Sequence, residues 1–402
     1  VALSTRRFFP IAIAIAVATG LLGACTIPEA PTALEPETVV LDTAPTVPAE
    51  TPPSPVPTPE EALEEQLATT VASLELRQKV SGLLIATVPG TDASAFRELL
   101  DTVPVAGFLL SRSNVQGTPE DTAAYLSIVQ GGQDYPLLMS VDQEGSPIAR
   151  LLADDFPGAQ DLGQGPVEDT TTAFQARQEL VAQSGATVNF GVVGDVTPGS
   201  GAYIHPRSFG ADPAIVSDHV VAALEARAPG VAQTLKHFPG HGLVQEDSHL
   251  EIPETTIGYD LWWDTHALPF RAGVEEGVDL VMMAHIRVLS VSKDPASVSN
   301  DWIDILRNDL GYDGVIITDD LAMLKSSGEE AYHDPAATAV AALVAGNDLI
   351  MLALDLGEVS ILDTYNAIAD ALVAAVVEGR VSEAQVDESL TRVLRLRASL
   401  VR

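Results

Sequence analysis

The chain has 402 residues, of which 46% are hydrophobic and 19% charged, too apolar for a disordered chain and long enough for one large domain or two ordinary ones. Fifty-six acids against 21 bases leave a formal charge of −35. That charge excludes a protein built to neutralise a nucleic-acid backbone and disfavours an anionic lipid surface as a partner. Cys25 is the one cysteine, so an intrachain disulfide and a cysteine-rich metal site are excluded as well.

Arg6 and Arg7 precede an apolar run from Phe8 to Leu22, and Leu22-Gly23-Ala24-Cys25 follows. A charged start, an apolar stretch too short for a stable span and small residues before a cleavage point predict a signal peptide over residues 1–24. Leu-Gly-Ala-Cys resembles the bacterial lipobox, which makes Cys25 the expected lipidation site. The Arg pair also loosely resembles a twin-arginine signal, so both that route and the general secretory one stay open. Residues 26–60 contain ten prolines. Proline fixes φ and lacks an N–H, so residues 25–60 are expected to form an extended tether, leaving 61–402 as the folded domain.

Within that domain eight short apolar runs read as buried parallel strands. They are Leu83–Thr87, Ala106–Leu110, Leu137–Val141, Thr187–Val192, Ala232–Leu235, Asp279–Met283, Val315–Thr318 and Asp348–Leu352. Helical patterns lie between most of them, among others at Thr170–Ser184, Ala214–Ala228, Leu261–Glu276, Ile303–Leu310 and Pro335–Ala345, with two more at Val359–Glu378 and Ser382–Val401. Strand then helix, eight times over, predicts an α/β protein with a (β/α)8 TIM-type barrel. A doubly wound sheet is the competing architecture. Three G-x-G fragments occur, but none carries the third glycine of a dinucleotide site.

A barrel places its chemistry at the C-terminal ends of the strands. Asp142-Gln143-Glu144 follows the third run, Lys236-His237 the fifth, Ala284-His285 the sixth and Asp319-Asp320 the seventh. An acid at such a place can be a helix cap; four polar clusters at four strand ends point to a site. Three of eight histidines, His237, His241 and His249, fall between residues 237 and 249. They could ligate a metal, but Pro239-Gly240 breaks the helix that an i, i+4 pair would need. No G-x-S-x-G elbow and no G-x-x-x-x-G-K loop is present.

Lys236-His237-Phe238-Pro239-Gly240-His241-Gly242, with Asp247-Ser248-His249 four residues on, resembles the glycoside hydrolase family 3 β-N-acetylhexosaminidases of the NagZ type. Further blocks follow the same order: Val141-Asp142-Gln143-Glu144-Gly145 with Arg150, Asn189-Phe190 to Asp195-Val196, Arg207-Ser208-Phe209-Gly210 with Asp212-Pro213, Gly314 to Met323, and Ala345-Gly346-Asn347-Asp348. The resemblance covers nearly all of the chain after the tether. It implies Asp319 as nucleophile, His249 as acid/base oriented by Asp247, and Asp142, Arg150, Arg207, Lys236 and His237 as the groups that hold an N-acetylglucosamine ring. It implies no metal and no organic cofactor. The expected substrate is a terminal β-linked N-acetylglucosaminide, such as a muropeptide, met by a lipid-anchored monomer outside the bacterial cytoplasmic membrane.

The chemistry of those roles is self-consistent. A retaining glycosidase needs a carboxylate to attack the anomeric carbon and a proton donor that later activates water. Imidazole titrates near pH 6.5, so a histidine can donate and then accept. Gly240 and Gly242 predict a mobile loop bringing in the histidine. Two departures from the family pattern stand out: Ser146-Pro147 after Gly145, and Leu243-Val244 after Gly242. Two other readings remain open. A histidine base does not repel phosphate, so the same site could serve a phosphorylase. A non-catalytic glycan-binding lipoprotein is the second.

Overall fold

The computed structural model describes residues 57–115, 117–353 and 360–401. The expected signal peptide, Cys25 and residues 25–56 of the expected tether lie outside them. The folded part begins with helix α1, Pro59–Ser73, two residues ahead of the boundary expected at Glu61. Thr58 accepts from Glu61 N at its N-terminus while the Glu61 side chain accepts from Thr58 N, a reciprocal cap that satisfies two otherwise orphaned donors.

Eight parallel strands form one sheet: β1 Leu84–Ala86, β2 Gly107–Leu110, β3 Leu138–Val141, β4 Val188–Val193, β5 Ala232–Phe238, β6 Leu280–Met283, β7 Val315–Thr318 and β8 Ile350–Met351. Their order is β7-β6-β5-β4-β3-β2-β1-β8. A bridge between Ile317 and Leu349 brings β7 against the start of β8, so the sheet closes on itself as the (β/α)8 barrel expected. Every residue of these strands but the half-buried Leu109 is buried, which is why the runs are continuously apolar rather than alternating.

Helices lie outside the ring. Leu261–Glu276, expected as one helix, is two, Tyr259–Asp264 and Ala267–Glu275, separated at Thr265-His266. Ile303–Leu310 is the end of an irregular helix that opens as Asn300–Asp304 and widens into a π turn at Ile305–Asp309. The fifth strand is longer than expected and contains Lys236 and His237 instead of ending before them.

That extension matters to the site. Strict alternation would turn Lys236 and Phe238 to the same side. The β5–β6 pairing instead shifts register between them, and such bulges re-aim side chains. Phe238 turns into an aromatic cluster with Phe270, Trp262 and Trp302 at ring separations of 5.3, 5.9 and 5.7 Å. Trp262 Nε1 donates to Pro239 O at 2.8 Å. The strand end that carries Lys236 and His237 is therefore fixed from outside by packed rings.

Candidate active site

The polar clusters meet at the C-terminal mouth of the barrel. A cleft of about 310 Å³ is lined by Asp142, Glu144, Arg150, Arg207, Lys236 and His237, by His249 from the loop after β5, and by Asp319 and Asp320 after β7. All the expected sugar-holding residues, together with His249 and Asp319, line this one cavity. Its size falls at the small end of ordinary ligand pockets.

The wall after β3 is a short hairpin in which Gln143–Gly145 pairs with Ile148–Ala149. Gln143 N donates to Asn189 Oδ1 on β4 at 3.1 Å, and Asn189 Nδ2 donates back to Gln143 O at 3.2 Å. The hairpin returns Arg150 beside Asp142, where Nη2 lies 3.2 Å from Oδ2. Ser146-Pro147 occupies the tip, so the departure from the family pattern leaves that pairing in place.

Lys236 Nζ reaches up from β5 to Asp142 Oδ1 at 2.9 Å and Glu144 Oε1 at 2.7 Å. Arg207 grips Glu144 through Nε and Nη2 at 2.8 and 2.7 Å, the bidentate geometry that makes guanidinium pairs strong. Burial opposes ionisation of both acids, but Lys236, Arg150 and Arg207 outweigh it for Asp142 and hold it at about 2. Arg207 and Lys236 do the same for Glu144, also at about 2. Three cations and two anions thus form a preorganised network with one net positive charge.

His237 is neutral there. Burial, then Arg207 and Lys236, push its pKa well below the usual imidazole value. Arg207 Nη2 can only donate, so the contact at 3.1 Å makes His237 Nε2 the acceptor. His237 Nδ1 therefore carries the proton and donates to Asp195 Oδ2 at 2.7 Å. Asp195 is completely buried and also accepts from His241 N at 2.5 Å, tying the loop after β5 to the end of β4.

Across the cleft, Asp319 follows β7. Burial works against its ionisation, but its interactions with His285, His237 and Lys236 and an N–H from Asp320 at 2.8 Å hold its pKa below the usual carboxylate value. The last two persist when the histidines are neutral. Its neighbour Asp320 turns inward, where Oδ1 accepts from Ala322 N at 3.0 Å and Ala353 N at 2.7 Å. Burial raises Asp320 to about 7. His285 Nε2 donates to Asp320 O at 2.8 Å, and Nδ1 meets Ser297 Oγ at 2.7 Å, so both nitrogens are taken up by the scaffold.

His249 stands on the loop after β5 with half of its side chain exposed. Asp247 Oδ1 accepts from His249 Nδ1 at 2.7 Å and from His249 N at 3.0 Å. A carboxylate cannot donate, so Nδ1 bears the proton on that side and Nε2 is left for exchange. Tyr203 sets its ring edgewise to His249 at 5.6 Å, and His241 holds Ser248 Oγ at 2.9 Å.

Three of these residues carry more of the site than the sequence reading gave them. Glu144, open there to being only a helix-start acid, pairs with Arg207 63 positions away. Asp195 was noted only within a matching block, and Tyr203 carried no sequence signal at all.

The Glycosyl hydrolase family 3 N terminal domain profile matches residues 75–396. A β-hexosaminidase of Xanthomonas oryzae pv. oryzae (strain KACC10331 / KXO85) is 36% identical over 258 residues, covering 61% of this chain and 76% of the relative. The fold is similar to a glycoside hydrolase family 3 β-N-acetylglucosaminidase from Paenibacillus sp. str. FPU-7, at TM-score 0.75 and 33% identity over 82% of this chain, which spans 63% of that longer protein. M. tuberculosis LpqI is similar at TM-score 0.73 and 30% identity, over 82% of this chain and 96% of its own. The chain belongs to glycosyl hydrolase family 3, among its β-N-acetylhexosaminidases.

Proposed function

We propose that the protein hydrolyses terminal β-linked N-acetylglucosamine with retention, through a covalent glycosyl-Asp319 intermediate. The observation that carries this reading is the meeting of two functions in one cleft: an ionised Asp319 placed at the end of β7, and a half-exposed His249 lining the same cavity, its Nδ1 held by Asp247 at 2.7 Å. In the first step Asp319 attacks C1 while His249 Nε2 gives its proton to the leaving oxygen. In the second, His249 takes a proton from water, the water oxygen attacks C1, and the Asp319 ester bond breaks. Asp142, Arg150, Arg207, Lys236 and His237 hold the sugar hydroxyls. They are already bonded to one another, so little reorganisation accompanies binding.

Peptidoglycan fragments outside the membrane are the proposed source of substrate, reached by a Cys25-anchored form with the segment from Cys25 to the start of α1 at Pro59 as tether. Fatty-acid labelling of the wild type and its loss in Cys25→Ser would support that placement; equal labelling would refute it.

The direct test is to incubate the protein with an aryl β-N-acetylglucosaminide with and without phosphate. Free N-acetylglucosamine is expected in both cases. A sugar 1-phosphate that dominates with phosphate present would overturn hydrolysis, and glycan affinity without turnover would indicate a binding protein.

A further inference from the structure

His249 is bonded to Asp247 two positions away on its own loop. That bond sets the tautomer of the imidazole and its angle to the loop. It does not set the distance from His249 to Asp319, which follows a different strand. The distance depends on what holds residues 245–251 against the barrel. Among the described residues, every hydrogen bond, ion pair or ring contact that reaches this stretch from outside the loop after β5 comes from Tyr203. Tyr203 N donates to Gln245 O at 2.9 Å, and the Tyr203 ring stands edgewise to His249 at 5.6 Å.

The same ring lies 6.1 Å from that of His241, whose Nε2 meets Ser248 Oγ at 2.9 Å. Ser248 and His249 are thus tied to one phenol, the first through His241 and the second directly. Tyr203 can anchor them because its own segment is fixed. Its sequence neighbours Ala202 and Ile204 are buried with Val193 at the end of β4. His205 meets Thr197 Oγ1 at 3.0 Å and Gln160 Nε2 at 2.8 Å, and two positions on Arg207 enters the ion-paired network. The Tyr203 hydroxyl has no hydrogen-bond partner among the described residues, so the ring is the part that makes the contact.

We infer that Tyr203 is the positioning residue of the proposed acid/base: its ring holds the His249 imidazole within reach of the leaving oxygen, acting through that imidazole and not on the substrate. This rests on the reaction proposed above and adds to it which residue keeps the proton donor in place. Half of the His249 side chain is exposed, so without the ring it has room to turn away. An aromatic edge contact shifts such a positional equilibrium by about three- to tenfold. Proton donation falls with the fraction of molecules in which the donor is in place.

The experiment uses the full chain and two neutral substrates of similar shape, phenyl and 4-nitrophenyl β-N-acetylglucosaminide. Phenolate needs a proton as it leaves and nitrophenolate needs it much less, so their kcat/KM ratio reports protonation. Tyr203 is over a third exposed and its N–H survives replacement, so Tyr203→Ala removes the ring and keeps the tie to Gln245. In that variant kcat/KM is expected to fall about three- to tenfold more on the phenyl than on the nitrophenyl glycoside. Tyr203→Phe, which keeps the ring, restores the wild-type ratio. His249→Ala is the reference, with the same selectivity and a larger loss. Equal losses on both substrates in Tyr203→Ala, or a ratio in Tyr203→Phe as low as in Tyr203→Ala, overturn the inference, and a selective loss in His249→Ala then leaves the proposed function standing. Equal losses on both substrates in His249→Ala overturn both.

Discussion

Arg177 Nε lies 2.7 Å from Asp154 Oδ2, with the arginine side chain fully buried and the aspartate 2% exposed. Asp154 also accepts from Gln143 Nε2 at 2.9 Å, and Arg177 Nη2 donates to Phe156 O and Pro157 O at 3.2 and 2.5 Å. The pair clamps the segment after the hairpin that bears Asp142, Glu144 and Arg150. Breaking it leaves one buried charge alone, which costs about 3–5 kcal/mol. Arg177→Ala should therefore lower the unfolding free energy by about that amount, and an apolar double replacement such as Arg177→Met with Asp154→Leu should recover much of it. Gly145 sits over the guanidinium at φ +94°, where an added Cβ would meet Nη2 at 2.2 Å, so Gly145→Ala should destabilise too. Urea unfolding measures all three; a loss under about 1 kcal/mol in Arg177→Ala would refute the clamp.

Glu144→Gln tests the charge balance of the proposed sugar wall. The amide cannot neutralise Lys236 and Arg207, both of which it would still touch. Those cations then draw on Asp142 and shift the positions offered to the sugar. The expected result is a KM raised about tenfold or more, since hydrogen bonds to charged groups contribute about 1.5–3 kcal/mol, with a smaller fall in kcat. Steady-state kinetics separate the two. A kcat loss with KM unchanged would place Glu144 in the chemical step instead.

Acid should act on stability in two opposite ways. Asp142 and Glu144 have ordinary values of 3.8 and 4.5 and are held at about 2 in the fold. The stability they contribute is full above the ordinary values and is lost as pH falls through that range toward about 2. Asp320 is raised from 3.8 to about 7, so its ionisation costs stability as pH rises from about 4 to 7. Asp320→Asn keeps an oxygen for Ala322 N and Ala353 N but cannot ionise. It should remove the decline between pH 4 and 7 and leave the acid-side loss intact. Identical pH profiles for variant and wild type would contradict the inward, half-protonated Asp320.

His249→Ala removes the proposed proton donor. A nitrophenolate leaves without much protonation, whereas a sugar alkoxide does not. General acid catalysis is worth about 10²–10⁴-fold, so the variant should lose far more kcat/KM on a disaccharide than on a nitrophenyl glycoside. Equal losses on both would assign His249 a binding role.

How much of this the sequence contained depends on the range of the interaction. All eight strands were legible because burial on both faces of a parallel barrel leaves an apolar run at each. The placement of Asp319 at a strand end and of His249 on the loop after β5 was legible because the barrel rule and the family resemblance agree on those positions. Lys236 and His237 were expected after a strand and are within it, because the register shift at Phe238 lets a strand residue serve the site. The split at Thr265-His266 and the π turn at Ile305–Asp309 left no mark on the apolar periodicity. Glu144 with Arg207, Asp195 with His237, and Asp154 with Arg177 are 63, 42 and 23 positions apart. Pairs of that kind have no local pattern; only the closed barrel brings them together.

The central claim is the bond to Asp319, and trapping it is the most direct measurement. A 5-fluoro N-acetylglucosaminyl fluoride carries a good leaving group and slows both steps, so the glycosyl-enzyme should accumulate. Intact mass spectrometry followed by peptide mapping should find one added fluorosugar, on the peptide bearing Asp319, and none in Asp319→Asn. An adduct on another residue, or steady turnover with no adduct and an inverted product, would contradict the account.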